Sequence, residues 1–275
     1  MLPTAACGNQ QEENVIVLPP VIEVLPETED TDSEEETEKD QETEGGKTED
    51  ENATAPEGEA DGFKKQTKKY ATSTVNSLRV RSAPNTSSTV LGYLDKNDAV
   101  LVKGESGNFY ITTFKEKTAY VYKTSCKILE VECESDKVES AIDLGSTLLG
   151  YPYIWGAQRY HWGNGKLNSN FKKGEFDCSA LTLYVYYKSN SVILDVTTRT
   201  QVKNGVAVDK KDLKRGDLMF FTNADRKNKT GIERIGHVAI YFGNNYILHT
   251  ASDHAVIEPI SSLRWSYYIT SRRVV

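Results

Sequence analysis

The chain has little of the two residue types that carry most nucleophilic and proton-transfer chemistry: its 275 residues hold four cysteines and four histidines. Four thiols are too few for a disulfide framework, so the fold must rest on packed cores. Cys126 and Cys133 lie close enough in sequence for one local bridge in an oxidising compartment, and reduced, inert thiols are an equal reading. No run of about 18 apolar residues occurs, so no helix of this sequence is expected to span a bilayer. The histidine pair four residues apart that marks many zinc hydrolases is also missing, and His249 with Asp253-His254 lacks a further ligand nearby. No metal and no cofactor is therefore expected, and nothing reads as a nucleic-acid module.

What is present is unevenly distributed. Residues 1–62 hold 20 acidic and 2 basic residues, a balance of −18, which leaves +11 of the overall −7 for residues 63–275. From Glu27 to Gly62 there is no Val, Ile, Leu, Met or aromatic residue. Burial cannot offset the entropy of ordering such a segment, so residues 1–66 are expected to be a disordered acidic tether, held extended by like-charge repulsion. A generic solvated tail explains the charge run equally well. The opening Met1-Leu2-Pro3-Thr4-Ala5-Ala6-Cys7-Gly8-Asn9 has small residues before a cysteine and polar ones after it. It looks like the tail of a lipoprotein signal, which would put the true start upstream and a lipid anchor on Cys7; a stray thiol in a loose terminus is the alternative. The basic remainder suits a polyanionic wall or lipid surface.

Beyond Lys68 short alternating runs appear, among them Leu78-Arg79-Val80-Arg81, Val90 to Leu94, Ala99 to Val102 and Ala119 to Tyr122, split by turns such as Ala83-Pro84-Asn85. This predicts a small antiparallel barrel over 67–132. A second pattern fills 133–275. Val138, Ala141, Ile142, Leu148 and Leu149 near helical spacing, with Ser135 as a cap and Gly150 as a stop, predict an opening helix. The apolar run 181–187 fits a helix or a buried strand. Strands are expected at Leu218 to Phe221, Val238 to Phe242, Tyr246 to Leu248 and Ala255 to Ile257, so the class is α+β.

Cys178 precedes an apolar run. If that run is a helix, the thiol sits at its first turn, where the dipole and free N–H groups favour a thiolate charged at neutral pH. By position alone a buried, inert cysteine is the better reading. His237 alters that balance because it opens a strand directly after Gly236, where an imidazole can take and return the thiol proton. His249 ends the next strand beyond Gly243-Asn244-Asn245, and antiparallel pairing would bring it beside His237 as the group that orients the ring.

Five blocks in order resemble the NlpC-type papain-like cell-wall peptidases: Gly150-x-Pro152-Tyr153-x-Trp155-Gly156, Phe176-Asp177-Cys178-Ser179, Thr198-Arg199-Thr200-Gln201, Leu213-x-x-Gly216-Asp217-Leu218, and Gly236-His237-Val238-Ala239-Ile240-Tyr241-x-Gly243. The barrel sequence looks like the bacterial SH3-like domains attached to wall hydrolases. The resemblance implies a circularly permuted papain-like fold and a Cys178, His237, His249 triad. It implies cleavage of the bond between D-γ-glutamate and a diamino acid in peptidoglycan stem peptides by a monomeric, secreted or surface-bound enzyme. Tyr153, Asp177, Ser179 and Arg199 would bind the oxyanion or substrate. Amidase or acyltransferase chemistry on the same fold, or a non-catalytic wall-binding role, are the alternatives. Between Tyr153 and Cys178 lies an insertion at about 158–173, longer than the family's usual spacing. Its Tyr160 and Trp162 could flank the groove, or its aromatics could pack on the domain.

Overall fold

A computed structural model describes residues 66–250 and 253–275. The acidic tether up to residue 65 and Cys7 within it lie outside the described residues. Eight strands come first: β1 (Thr67–Ser73), β2 (Leu78–Arg81), β3 (Val90–Leu94), β4 (Ala99–Leu101), β5 (Gly104–Ser106), β6 (Phe109–Phe114), β7 (Lys117–Tyr122) and β8 (Cys126–Glu132). They form two antiparallel sheets, ordered β4-β1-β8 and β3-β2-β7-β6-β5. Leu78 and Val80 are buried while Arg79 is exposed, the two-residue period by which a strand separates core from solvent. Cys126 opens β8 and Cys133 follows its end. Seven residues of extended chain hold them roughly 23 Å apart, which rules out the local bridge, and all the described cysteines are free.

The second part begins with α1 (Asp136–Thr147), whose cap Ser135 accepts from Val138 N–H. Next come α2 (Cys178–Asn190), α3 (Thr198–Gln201), β9 (Val206–Val208), β10 (Leu218–Phe221), β11 (His237–Gly243), β12 (Tyr246–Thr250), β13 (Ala255–Pro259), α4 (Ser262–Ser266) and β14 (Tyr268–Arg273). The run that periodicity left open is a helix. It is apolar all round because all nine residues from Cys178 to Tyr186 are buried. The six strands are ordered β13-β12-β11-β10-β14-β9. Both sheet faces are covered: Leu218, Phe220, Val238 and Ile240 join the core that holds α1 and α2, while Met219, Phe221, Ala239 and Ile247 pack with Trp265 and Tyr267. The architecture is a papain-like α+β domain preceded by an all-β SH3-like barrel.

The two parts belong to one compact unit. Arg215, buried, donates from Nε to Glu139 Oε1 at 2.7 Å, and from Nη2 to Glu139 Oε2 at 3.1 Å and to Tyr70 Oη of β1 at 2.9 Å. Lys68 of β1 reaches Glu139 at 3.0 Å and Asp143 at 2.6 Å. The β6–β7 turn also satisfies carbonyls that end α1: Lys115 N–H donates to Leu149 O and Glu116 N–H to Thr147 O. Gly150 sits where this turn presses in. Its φ is +84°, and a Cβ there would stand 2.1 Å from Phe114 Cζ, so no other residue fits.

Candidate active site

Cys178 is the first residue of α2, and its thiol is placed by the cap before it. The Asp177 carboxylate accepts from Ala180 N–H at 2.8 Å and from Ser179 Oγ at 3.0 Å. Arg159 completes this corner with an ion pair to Asp177 Oδ2 at 2.9 Å and a bond from Nη2 to Ser179 Oγ at 3.0 Å. The carboxylate is already matched by a guanidinium, so a substrate ammonium would have to share it. Gln201 ties α3 to the same helix by donating to Ser179 O and Asp195 O and accepting from Thr182 Oγ1.

The histidines meet through strand register. Ile240 pairs with Leu248 across β11 and β12, and His249 pairs with Val256 across β12 and β13. His237, His249 and Glu258 therefore lie on a diagonal across one face of three adjacent strands. His237 Nε2 stands 2.9 Å from His249 Nδ1, and His249 Nε2 stands 2.9 Å from Glu258 Oε1. A carboxylate can only accept, so His249 carries its proton on Nε2. Its bare Nδ1 then accepts from His237 Nε2–H, which leaves His237 Nδ1 as a free lone pair. Glu258 was missed from the sequence. Only the β12–β13 register, in which Ile247 faces Glu258, could have revealed it.

Electrostatics correct one expectation. Burial pushes the Cys178 thiol up to about 11, the Asp177 charge adds to that, and N–H bonds from Val238 and Ser179 together with Arg159 oppose it only in part. The helix terminus does not outweigh desolvation, so the thiol rests neutral rather than as a thiolate. His237 is held well below its usual range by burial, then by His249 and Arg264. His249 is also lowered, by burial against the opposing pull of Glu258. Burial alone would raise Glu258, yet its bond to His249 and the charges of His249 and Arg264 leave it lowered. The resting pair is thus neutral thiol and neutral imidazole, and the proton passes between them only during reaction. The Val238 N–H bond to sulfur places Cys178 Sγ beside the peptide that follows His237.

Two cavities, one at Cys178 and one at His237, share Tyr153, Asn223 and Gly236. One, of about 550 Å³, is bordered by Cys178, Asp177, Ser179, Arg159, Arg199 and Trp155. The other, of about 380 Å³, is bordered by His237, Thr222, Thr250, Ser261, Leu263 and Arg264. Tyr153 is half-buried, and burial and the nearby Cys178 and Asp177 raise its hydroxyl's pKa. Arg199 pairs with Glu233 at 3.3 Å on the cavity wall. Trp155 stands 86% exposed there, a contact surface that the sequence motif named without assigning a role.

The insertion divides in two. Tyr160 is not a groove residue: its ring packs 5.1–5.6 Å from Phe171, Tyr184 and Tyr187, because an aromatic turned toward α2 buries more surface there than at the rim. His161 beside it is fully buried on Tyr187. Trp162 is 53% exposed and borders a small hollow with Gly156, Arg159 and Thr197, next to the larger cavity.

Comparison with known proteins finds two family matches. The NlpC/P60 family matches residues 150–274 and the bacterial SH3 domain matches residues 76–125. The chain is 32% identical over 149 residues to a peptidoglycan DL-endopeptidase CwlO of Bacillus licheniformis, covering 53% of this chain and 30% of that protein. It is 34% identical over 122 residues to a gamma-D-glutamyl-L-lysine dipeptidyl-peptidase of Bacillus cereus, covering 44% and 31%. The chain thus spans about a third of the length of these two relatives. An NlpC/P60 family protein from Bacillus cereus ATCC 10987, of known crystal structure, superposes with a TM-score of 0.40 at 24% identity, over 75% of this chain and 63% of that one.

Proposed function

We propose, from the match of residues 150–274 to the NlpC/P60 family and of residues 76–125 to the bacterial SH3 domain, that the protein is a peptidoglycan hydrolase. In this reading it is a cysteine endopeptidase that cuts the D-γ-glutamyl–diamino acid bond of stem peptides. The observation that carries it is the directed chain Glu258, His249, His237, which leaves one lone pair on His237, while the thiol at the start of α2 accepts from the N–H of the next residue, Val238. Cys178 Sγ attacks the γ-glutamyl carbonyl while His237 Nδ1 takes the thiol proton. The oxyanion is held by the Cys178 N–H, free at the first helical position, and by the Tyr153 hydroxyl. His237 then protonates the leaving amine, and water, deprotonated by the same imidazole, hydrolyses the thioester. Asp177, Ser179 and Arg199 line the acyl side, and Trp155 and Trp162 stand near its mouth.

The working unit has three parts: a tether over 1–66, the SH3-like barrel over 67–132, and the peptidase over 133–275. It acts outside the cytoplasm as a monomer on the cell wall, with Cys7 as a membrane anchor. Mass analysis of muropeptides and free stem peptides after digestion tests the reaction. A new amine on the diamino acid, absent with Cys178→Ala, supports the endopeptidase; release at muramic acid means an amidase, and no product with the intact chain leaves a wall-binding role.

A further inference from the structure

The two cavities divide the substrate at the scissile bond, and chemistry says which half goes where. The leaving amine must receive its proton from His237, so the residue that departs occupies the space His237 borders, which is the 380 Å³ cavity. The acyl half then lies over Cys178, Asp177 and Ser179.

Among the described residues of the leaving-group cavity, apart from the histidine, Arg264 is the one that carries charge. It comes from α4, which covers the sheet face bearing His237, His249 and Glu258. Its guanidinium donates no hydrogen bond among the described residues. The nearest carboxylate oxygen, Glu258 Oε1, is 3.7 Å away and is already engaged by His249 at 2.9 Å. The guanidinium lies 5.9 Å from the centroid of Phe221, and the His237 ring lies 6.1 Å from that same ring. Arg264 is therefore a partly buried cation, less than a third exposed, with unspent donors facing the place where the diamino acid must sit. A planar fork of donors matches one chemistry above others, a carboxylate.

We propose that Arg264 selects the leaving residue by binding a carboxylate on it, and so favours a diamino acid with a side-chain carboxylate, as in diaminopimelate, over one ending in an ammonium, as in lysine. The inference rests on the peptidase reading and adds the identity of the diamino acid to it. A diaminopimelate side chain carries its carboxylate roughly 7 Å from the scissile nitrogen, the span of two extended residues. A lysine ammonium at the same place would meet a like charge in a half-dry site. The carboxylate could also be the α-carboxyl of a stem peptide that ends at this residue. The chemistry is shared, and the substrates separate the two.

The test uses the full chain and four peptides of the form L-Ala-γ-D-Glu-X: diaminopimelate with its side-chain carboxyl free or amidated, and lysine with its α-carboxyl free or amidated. Expected is a kcat/KM ratio of about tenfold or more between the free and amidated members of the pair that supplies the anion, the range of a charge-assisted bond. Arg264→Gln abolishes that ratio, Arg264→Lys keeps most of it, and Arg264→Glu shifts preference toward lysine. Ratios near one in both pairs overturn the proposal, as does an Arg264→Gln variant that slows all four peptides equally, since the arginine would then act only through His237. Either result leaves the peptidase standing. No cleavage of any peptide by the intact chain removes the peptidase reading and this inference with it.

Discussion

Replacing Glu258 asks whether the tautomer chain is what makes His237 a base. The His249 Nε2 to Glu258 Oε1 bond is 2.9 Å, and a hydrogen bond to a charged group contributes about 1.5–3 kcal/mol. The Glu258 side chain is 32% exposed, so solvent screening places it at the lower end, about 1.5–2 kcal/mol. At about 1.4 kcal/mol per tenfold, Glu258→Gln should lower kcat by roughly 10- to 30-fold. KM should stay within about twofold, because Glu258 touches the ring that orients the base and not the substrate. Glu258→Leu, which leaves His249 Nε2 unpaired and its tautomer free to flip, should cost more. The pH profile supplies a readout that a merely structural residue would not move. The carboxylate favours the protonated form of His249, so its loss lowers the imidazole pKa further and carries the acid limb of kcat to lower pH. The assay is amine release from a stem peptide under steady state from pH 4 to 9, with folding checked by circular dichroism. Folded Glu258→Gln and Glu258→Leu variants that keep kcat within twofold, with the acid limb unmoved, would refute the relay.

Three other consequences can be measured directly. Because burial raises the Cys178 thiol to about 11, its alkylation rate should still be climbing above pH 9 and show no plateau near neutrality; a flat rate from pH 6 to 9 would mean a preformed thiolate. Arg215→Ala leaves Glu139 buried without its main partner and should destabilise the chain by about 3–5 kcal/mol. Calorimetry should still give one transition for barrel and peptidase, and two separated transitions would show that the ion cluster alone couples them. His161 is buried neutral, accepting from Gly163 N–H, and its Nε2 has no partner among the described residues. Its folded pKa lies below the unfolded value, so its contribution is present above about pH 6.5 and is lost as pH falls below that. Denaturant titrations of wild type and His161→Phe should therefore move in the variant's favour between pH 8 and pH 5; an unchanged difference counts against a neutral, buried imidazole.

The local grammar of the site was legible in sequence. Ser135 could be read as a cap, Gly243-Asn244-Asn245 as the turn that brings β12 back along β11, and Cys178 as the head of an apolar run. Each follows from short-range backbone preferences. The histidine pair followed from them, because register through a tight turn is nearly determined by the turn. What depends on distance along the chain did not show. Arg159 reaches Asp177 from inside the insertion, Glu258 reaches His249 from a third strand, and Arg264 comes to the leaving-group cavity on a short helix from the far side of the sheet. The thiol's charge state was the sharpest case. Sequence supplies the helix terminus that favours a thiolate, but tertiary packing supplies the desolvation, and in a buried site desolvation is the larger of the two. Sequence by itself singled out the thiol at the head of α2 and the histidine pair of β11 and β12. Tertiary structure decided which proton each of them holds.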